Sequence, residues 1–232
     1  RTGFPGVTGV QTCALPIWMA FSFFLSTMLP CDSPYERIFF SRFHAFSSVF
    51  FSFAWVLWNE KESWRCVPEG LLAIFAGMAF LDVVLLDIPD SFKSLKPNFF
   101  HLSVFLAAYF LFLFAFFKFL RSFRPIRPWA SFVFFALFSF SIAGLFSVLC
   151  SPDGVRKEWT VFCLHINPMV ALSRCFPGYD YLRGYVFYEL LPITSFLGPF
   201  SYPSFWEVTL AYAFLALSFS VLSFFGKTAS KK

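Results

Sequence analysis

Phe99–Leu120, FFHLSVFLAAYFLFLFAFFKFL, decides the class of this chain. Its ionisable side chains are His101 near one end and Lys118 near the other. An α-helix rises 1.5 Å per residue, and roughly 20 apolar residues cross the ~30 Å hydrocarbon core of a bilayer. A helix that is apolar all round needs lipid or other protein on every side. Four more stretches read the same way: Ile38–Trp58, Gly70–Ile88, Trp129–Cys150 and Trp206–Phe225. A soluble domain of 232 residues has no room to bury five such helices. The expected fold is therefore all-α: a polytopic helical membrane protein of about five transmembrane helices in one domain, residues 18–232.

Composition points the same way. The chain is 58% hydrophobic and 13% charged, against about 25% charged residues in a soluble domain. Forty phenylalanines supply much of the apolar surface, and the Ser and Ala between them let helices approach closely. The net charge of +5 sits at span ends and on the C-terminal tail. Such charge reads as topology and headgroup contact, so the bilayer is the expected partner and nucleic acid is not.

Residues 1–17 stand apart. Val7–Ile17, VTGVQTCALPI, resembles the conceptual translation of a sequencing-library adapter, and such a stretch is set aside before the fold is read. Its Cys13 is left out of the cysteine arithmetic, and native sequence is expected upstream of Trp18. Resequencing the locus without adapters should return different codons there.

The connections carry the polarity. Pro30–Arg37 reads as a polar break before span one, Asn59–Glu69 is a charged loop, and Arg121–Pro128 is a basic hinge. With five alternating spans, one side receives nine Lys and Arg and the other six, which places the C-terminus in the cytoplasm. Cys31, Cys66, Cys150, Cys163 and Cys175 show no metal-ligand spacing, so no metal and no cofactor is expected. A disulfide among the outer-side cysteines and unpaired thiols both remain open.

Ionisable groups within spans are costly and point to function. His44 lies early in span one and Asp82 two-thirds along span two, with His101 or His44 as its expected partner. Glu189 lies in the apolar stretch Tyr185–Phe200. Asp87, beside Pro89, reads as a span end. No catalytic triad, phosphate loop or HExxH helix occurs in the sequence.

Ser151–Phe205 is apolar yet interrupted by Pro and Gly, which suits a re-entrant or interfacial pair of short helices. In it Asn167 caps a short helix that has Pro168 in its first turn. Asp180–Leu191 is the second expected short helix, ended by Pro192.

These features carry a resemblance. Asn167, Pro168, Ala171 and Leu172, the interrupted hairpin, the last helix from Trp206 and the basic tail resemble the C-terminal part of type-2, exporter-like ABC transporter permeases. Leu25–Phe43 resembles a leucine–proline–basic element that faces the ATPase in that family, although the charge count puts residues 30–37 outside and makes Asn59–Glu69 the cytoplasmic loop. The resemblance implies a permease subunit without catalytic residues of its own, paired as a homodimer or heterodimer and driven by a separate ATP-binding subunit. A second likeness is to TLC-domain lipid enzymes, through His44-Ala45, Gly77–Asp82 and His101. Leu102 follows His101 where that family has a second histidine. That alternative implies a carboxylate and an imidazole meeting inside one bundle.

Overall fold

The computed structural model describes residues 33–58, 66–86, 89–123, 167–177 and 204–229. Five helices form there: α1 Pro34–Trp58, α2 Cys66–Val84, α3 Phe99–Phe123, α4 Pro168–Ser173 and α5 Phe205–Ala229, with a 3-10 turn at Asp90–Leu95. The described residues contain no strand. Among them α3 and α5 are long and apolar enough to cross a membrane. The adapter-like residues 1–17, span four at Trp129–Cys150, the second short helix and Glu189 lie outside the described residues.

Local chemistry sets where the helices begin. The Ser33 backbone N–H donates to the Glu36 carboxylate at 3.0 Å, and Ser33 Oγ accepts from the Glu36 N–H at 3.2 Å. This reciprocal pair satisfies two backbone donors, and Pro34 fits the first helical position because its missing N–H would have no partner there. Helix α1 thus starts four residues before the expected Ile38. Ser204 and Glu207 repeat the device at α5, at 2.7 and 3.2 Å. Asn98 Oδ1 accepts from the His101 N–H at 3.1 Å and starts α3. Helix α2 runs from Cys66 to Val84, whereas the sequence placed its span at Gly70–Ile88. Pro68 sits in its first turn, where a proline costs no hydrogen bond.

Helix α3 is the central element. It packs along α5 on one side and against α1 and α2 on the other. The two aromatic-rich helices α3 and α5 run parallel: His101 meets Phe205, Tyr109 meets Tyr212, and Phe119 meets Phe219 in the same order along both. Call the end where α3 starts the upper end. Tyr35 of α1 meets Phe92 of the 3-10 turn there, with ring centroids 4.8 Å apart. Ile38 and Leu85 pack together beside Phe92, Leu95 and Phe99. The Asn98 N–H donates to the Cys175 carbonyl at 3.1 Å, which brings the stretch after α4 to the same end.

Ring packing dominates the interior. Tyr109, Phe105 and Phe112 surround Tyr212, with centroids 5.2 to 5.8 Å apart, in the offset and edge-to-face geometries that aromatic quadrupoles favour. On the other side of α3, Phe110 lies over Gly70 of α2. A Cβ at Gly70 would stand 2.2 Å from the Phe110 ring tip, so this close approach requires glycine.

The surface inverts the usual order. Phe39 and Phe43 of α1, Leu72 and Phe75 of α2, and Leu210, Phe214, Leu217 and Phe224 of α5 face outward. Ser41, His44, Ser48 and Ser52 of α1 are buried instead. Each of those serines donates its hydroxyl back to its own helix: Ser41 to the Ile38 carbonyl, Ser48 to His44 and Ser52 to Ser48, at 2.7 to 2.8 Å. The hydroxyls are thereby satisfied in an apolar interior.

Candidate functional site

The upper end gathers most of the residues that sequence reasoning singled out. Asp82 lies in the last turn of α2, because that helix stops at Val84 rather than Ile88. Its carboxylate pairs with Lys96 at 2.9 Å and is half exposed. Neither His44 nor His101 is the partner that the sequence reading expected for it. The sequence offers no periodic signal for this pair. Lys96 is fourteen residues on and reaches Asp82 only because the 3-10 turn folds the connection back. Lys96 also lies 5.6 Å from the Phe99 ring centroid.

An exposed pair of this kind contributes about 1 kcal/mol or less. Asp82→Asn should therefore leave the thermal midpoint in detergent nearly unchanged, as followed by differential scanning fluorimetry. A large drop would assign Asp82 a buried structural role that its exposure denies.

His101 occupies a different setting. Its ring stacks on Phe205, with centroids 4.4 Å apart and planes 20° apart, and meets the Trp206 ring edge-on at 5.6 Å. It therefore ties the first turn of α3 to the first turn of α5. His44 is fully buried two and a half turns into α1, with Phe40 beside it. The carboxylate–imidazole meeting required by a TLC-type enzyme is not formed by Asp82, which faces Lys96. Among the described residues no group of three His, Cys, Asp or Glu side chains could hold a metal ion.

Asn167 and Pro168 form the other element at this end. Asn167 Oδ1 accepts from the Met169 N–H at 2.8 Å, and Pro168 opens α4. The Asn side chain satisfies one of the first-turn donors, and Pro supplies a preset φ without a donor to waste. This helix is buried, not laid on a surface. Asn167, Met169, Ala171 and Leu172 are all at most 2% exposed, and α4 touches α1, α3 and α5. Phe176 beyond it stacks on Phe46 of α1, with planes 15° apart.

No family model matches this chain, and no curated protein or solved structure does.

Cys175, just after α4, is a free and buried thiol. Burial, which disfavours the thiolate, pushes its pKa up to about 12. The thiolate is the nucleophile, so Cys175 stays neutral and inert across the working range. N-ethylmaleimide at pH 8 should leave it unmodified in the folded protein and alkylate it after SDS treatment, as read by peptide mass spectrometry. Rapid alkylation of the folded chain would mean that α4 opens readily.

Proposed function

We propose that this chain is a multi-pass helical protein of the cell inner or plasma membrane, with about five spans, and that it is a permease subunit of an ATP-driven transporter. A second copy or a related subunit completes the translocation path, and a separate ATP-binding subunit supplies the energy. The membrane part of the reading is supported by the inverted surface, with Phe and Leu outward and Ser and His inward. In water that order would cost about 25 cal/mol for every Å² of apolar area left exposed. In lipid it is the favoured order, because buried polar groups then face protein.

One observation carries the transporter part. The Asn167-capped helix that resembles the permease motif is seated among α1, α3 and α5 at the upper end, where a re-entrant element would narrow a path between helices. Non-helical or broken backbone at membrane depth is tolerated where protein surrounds it. The remainder of that expected hairpin, including Glu189, belongs to the same proposal. Glu189→Leu should change transport while leaving the fold intact.

The test is recovery of the partner. The tagged chain is extracted from its native membranes in a mild detergent and its companions are identified by mass spectrometry. The expected result is an ATP-binding cassette ATPase in stoichiometric amount, with ATP hydrolysis in the purified complex. A chain that isolates without any ATPase, from membranes in which the two genes are expressed, would sink the reading.

A further inference from the structure

The 3-10 turn Asp90–Leu95 is joined to the bundle differently from the helices around it. Pro89 precedes it, and Lys96, in extended backbone, is followed by Pro97. A proline holds the residue before it extended and brings no N–H of its own, so the turn does not run on into α3. Its backbone bonds close on themselves: the Phe92 N–H donates to the Pro89 carbonyl at 2.9 Å and the Lys96 N–H to the Lys93 carbonyl at 3.1 Å. Lys93 pairs with Asp90 inside the same turn. None of the six residues is buried.

Among the described residues, side chains alone tie this turn to its neighbours. Phe92 meets Tyr35 of α1 edge-on, and Lys96 reaches back to Asp82 of α2 at 2.9 Å. Phe92 and Leu95 pack on Ile38 of α1 and Leu85 beyond α2, which are only 3% and 1% exposed. Ile38 and Leu85 form a cluster of their own, separate from the large core, with Phe99 packed against both. What lies beneath is polar. Ser41 donates to the Ile38 carbonyl at 2.7 Å, and His44 and Ser48 follow on the same buried side of α1. A segment with exposed ion pairs, self-contained backbone bonds and a small separate core belongs to the least stable, locally opening part of a fold.

We infer that Asp90–Leu95 is a hinged cap over the upper end of the α1–α2 seam, and that it opens as a unit while α3, α4 and α5 stay packed, giving water access to the polar line that starts at Ser41. Phe92 is its wedge, and the Lys96–Asp82 pair holds it shut across the end of α2. This gives Asp82 a role in a local closure that global stability does not report. The inference goes beyond the permease reading and does not rest on it. Failure to recover an ATPase would leave the cap standing, and a cap that stays shut would leave the transporter reading standing.

Cysteines beneath the cap test it. Leu85→Cys and the nearly isosteric Ser41→Cys are each placed in the otherwise native full-length chain in detergent micelles. The N-ethylmaleimide adduct at that position is followed by peptide mass spectrometry. Both probes are expected to label slowly. Adding Phe92→Ala should speed both by about tenfold, through loss of the ring contact and its packing. Adding Asp82→Asn should speed them by about two- to fivefold, as loss of a half-exposed ion pair allows. Native Cys175 should stay unmodified in all of these. Rates unchanged by Phe92→Ala would overturn the cap, and a faster Leu85→Cys with Ser41→Cys unchanged would overturn access to the polar line. Labelling of Cys175 in step with the probes would mean that the whole upper end unfolds, and would overturn an independent cap. If the cysteine variants fail to accumulate, deuterium uptake at the Leu85 and Leu86 amides is compared in the parent and Phe92→Ala chains. Faster uptake there, with Leu102–Leu113 unchanged, is the expected result, and equal uptake would overturn the cap.

Discussion

Tyr109→Ala will loosen the bundle more than any other single truncation described here. Tyr109 is fully buried at the middle of α3, with Phe105 and Phe112 on its own helix and Tyr212 edge-on across the interface. Removing a buried ring costs about 3 to 5 kcal/mol in water-soluble cores. Between helices in lipid there is little hydrophobic gain to lose, but the packing contacts and the cavity term remain. The expected loss is therefore near the lower figure, about 3 kcal/mol. A denaturant titration in mixed micelles, followed by tryptophan fluorescence from Trp206 at the α3–α5 junction, measures it. Tyr109→Phe keeps the ring and removes only the hydroxyl, and should leave the stability within about 1 kcal/mol of the parent. Equal losses for the two variants would locate the energy in the hydroxyl instead of the ring.

Gly70→Leu is expected to be comparably severe by the opposite mechanism. The Cβ alone would lie 2.2 Å from the Phe110 ring tip, and Phe110 is itself buried. The ring has to swing away or the helices have to part, and overpacking of this kind typically costs about 1 to 3 kcal/mol, more when backbones separate. Gly70→Ala should fall within that range and Gly70→Leu at or above its top. A cycle with Phe110→Leu separates the contact from any loss of glycine's own properties. The double variant Gly70→Ala/Phe110→Leu should be more stable than the sum of the two single effects predicts, since shortening the ring opens the room that the new methyl needs. Strict additivity would mean that the two residues do not meet.

The extent to which the sequence disclosed this fold differs from helix to helix. Helix α3 was legible from Phe99 onward, because an uninterrupted apolar run starts there; that Asn98 caps it came from the structure. Helix α1 was placed four residues late. The stretch PCDSPYER is polar and reads as a break, but Ser33-Pro34-Tyr35-Glu36 contains a capping box, and polarity there belongs to the helix start. The same signal sits in Ser204–Glu207, where it fixes the start of α5 at Phe205. Helix α2 was shifted toward its C-terminus because Glu69 and Pro68 were assigned to a loop. Both are first-turn residues, where a carboxylate suits the helix dipole and a proline lacks nothing.

At the upper end, Asn167 and Pro168 were readable as a cap and first turn because their chemistry is local. The partner of Asp82 was not readable, since it depends on how the turn at Asp90–Leu95 folds Lys96 back over the end of α2. The ring contacts of His101 were hidden for the same reason. They come from residues more than a hundred positions away, brought alongside by the parallel course of α5.

The serines of α1 have a mechanical consequence. Ser41, Ser48 and Ser52 spend their hydroxyl protons on carbonyls one turn back along their own backbone. Those bonds travel with the helix when it turns or slides. Among the described residues, the serine line thus contributes no hydrogen bond that pins α1 to one register against its neighbours, and these serines resist displacement along the seam through their packing. Substituting Asn at Ser48, with an amide too long to fold back completely, would convert a smooth bearing surface into a latch.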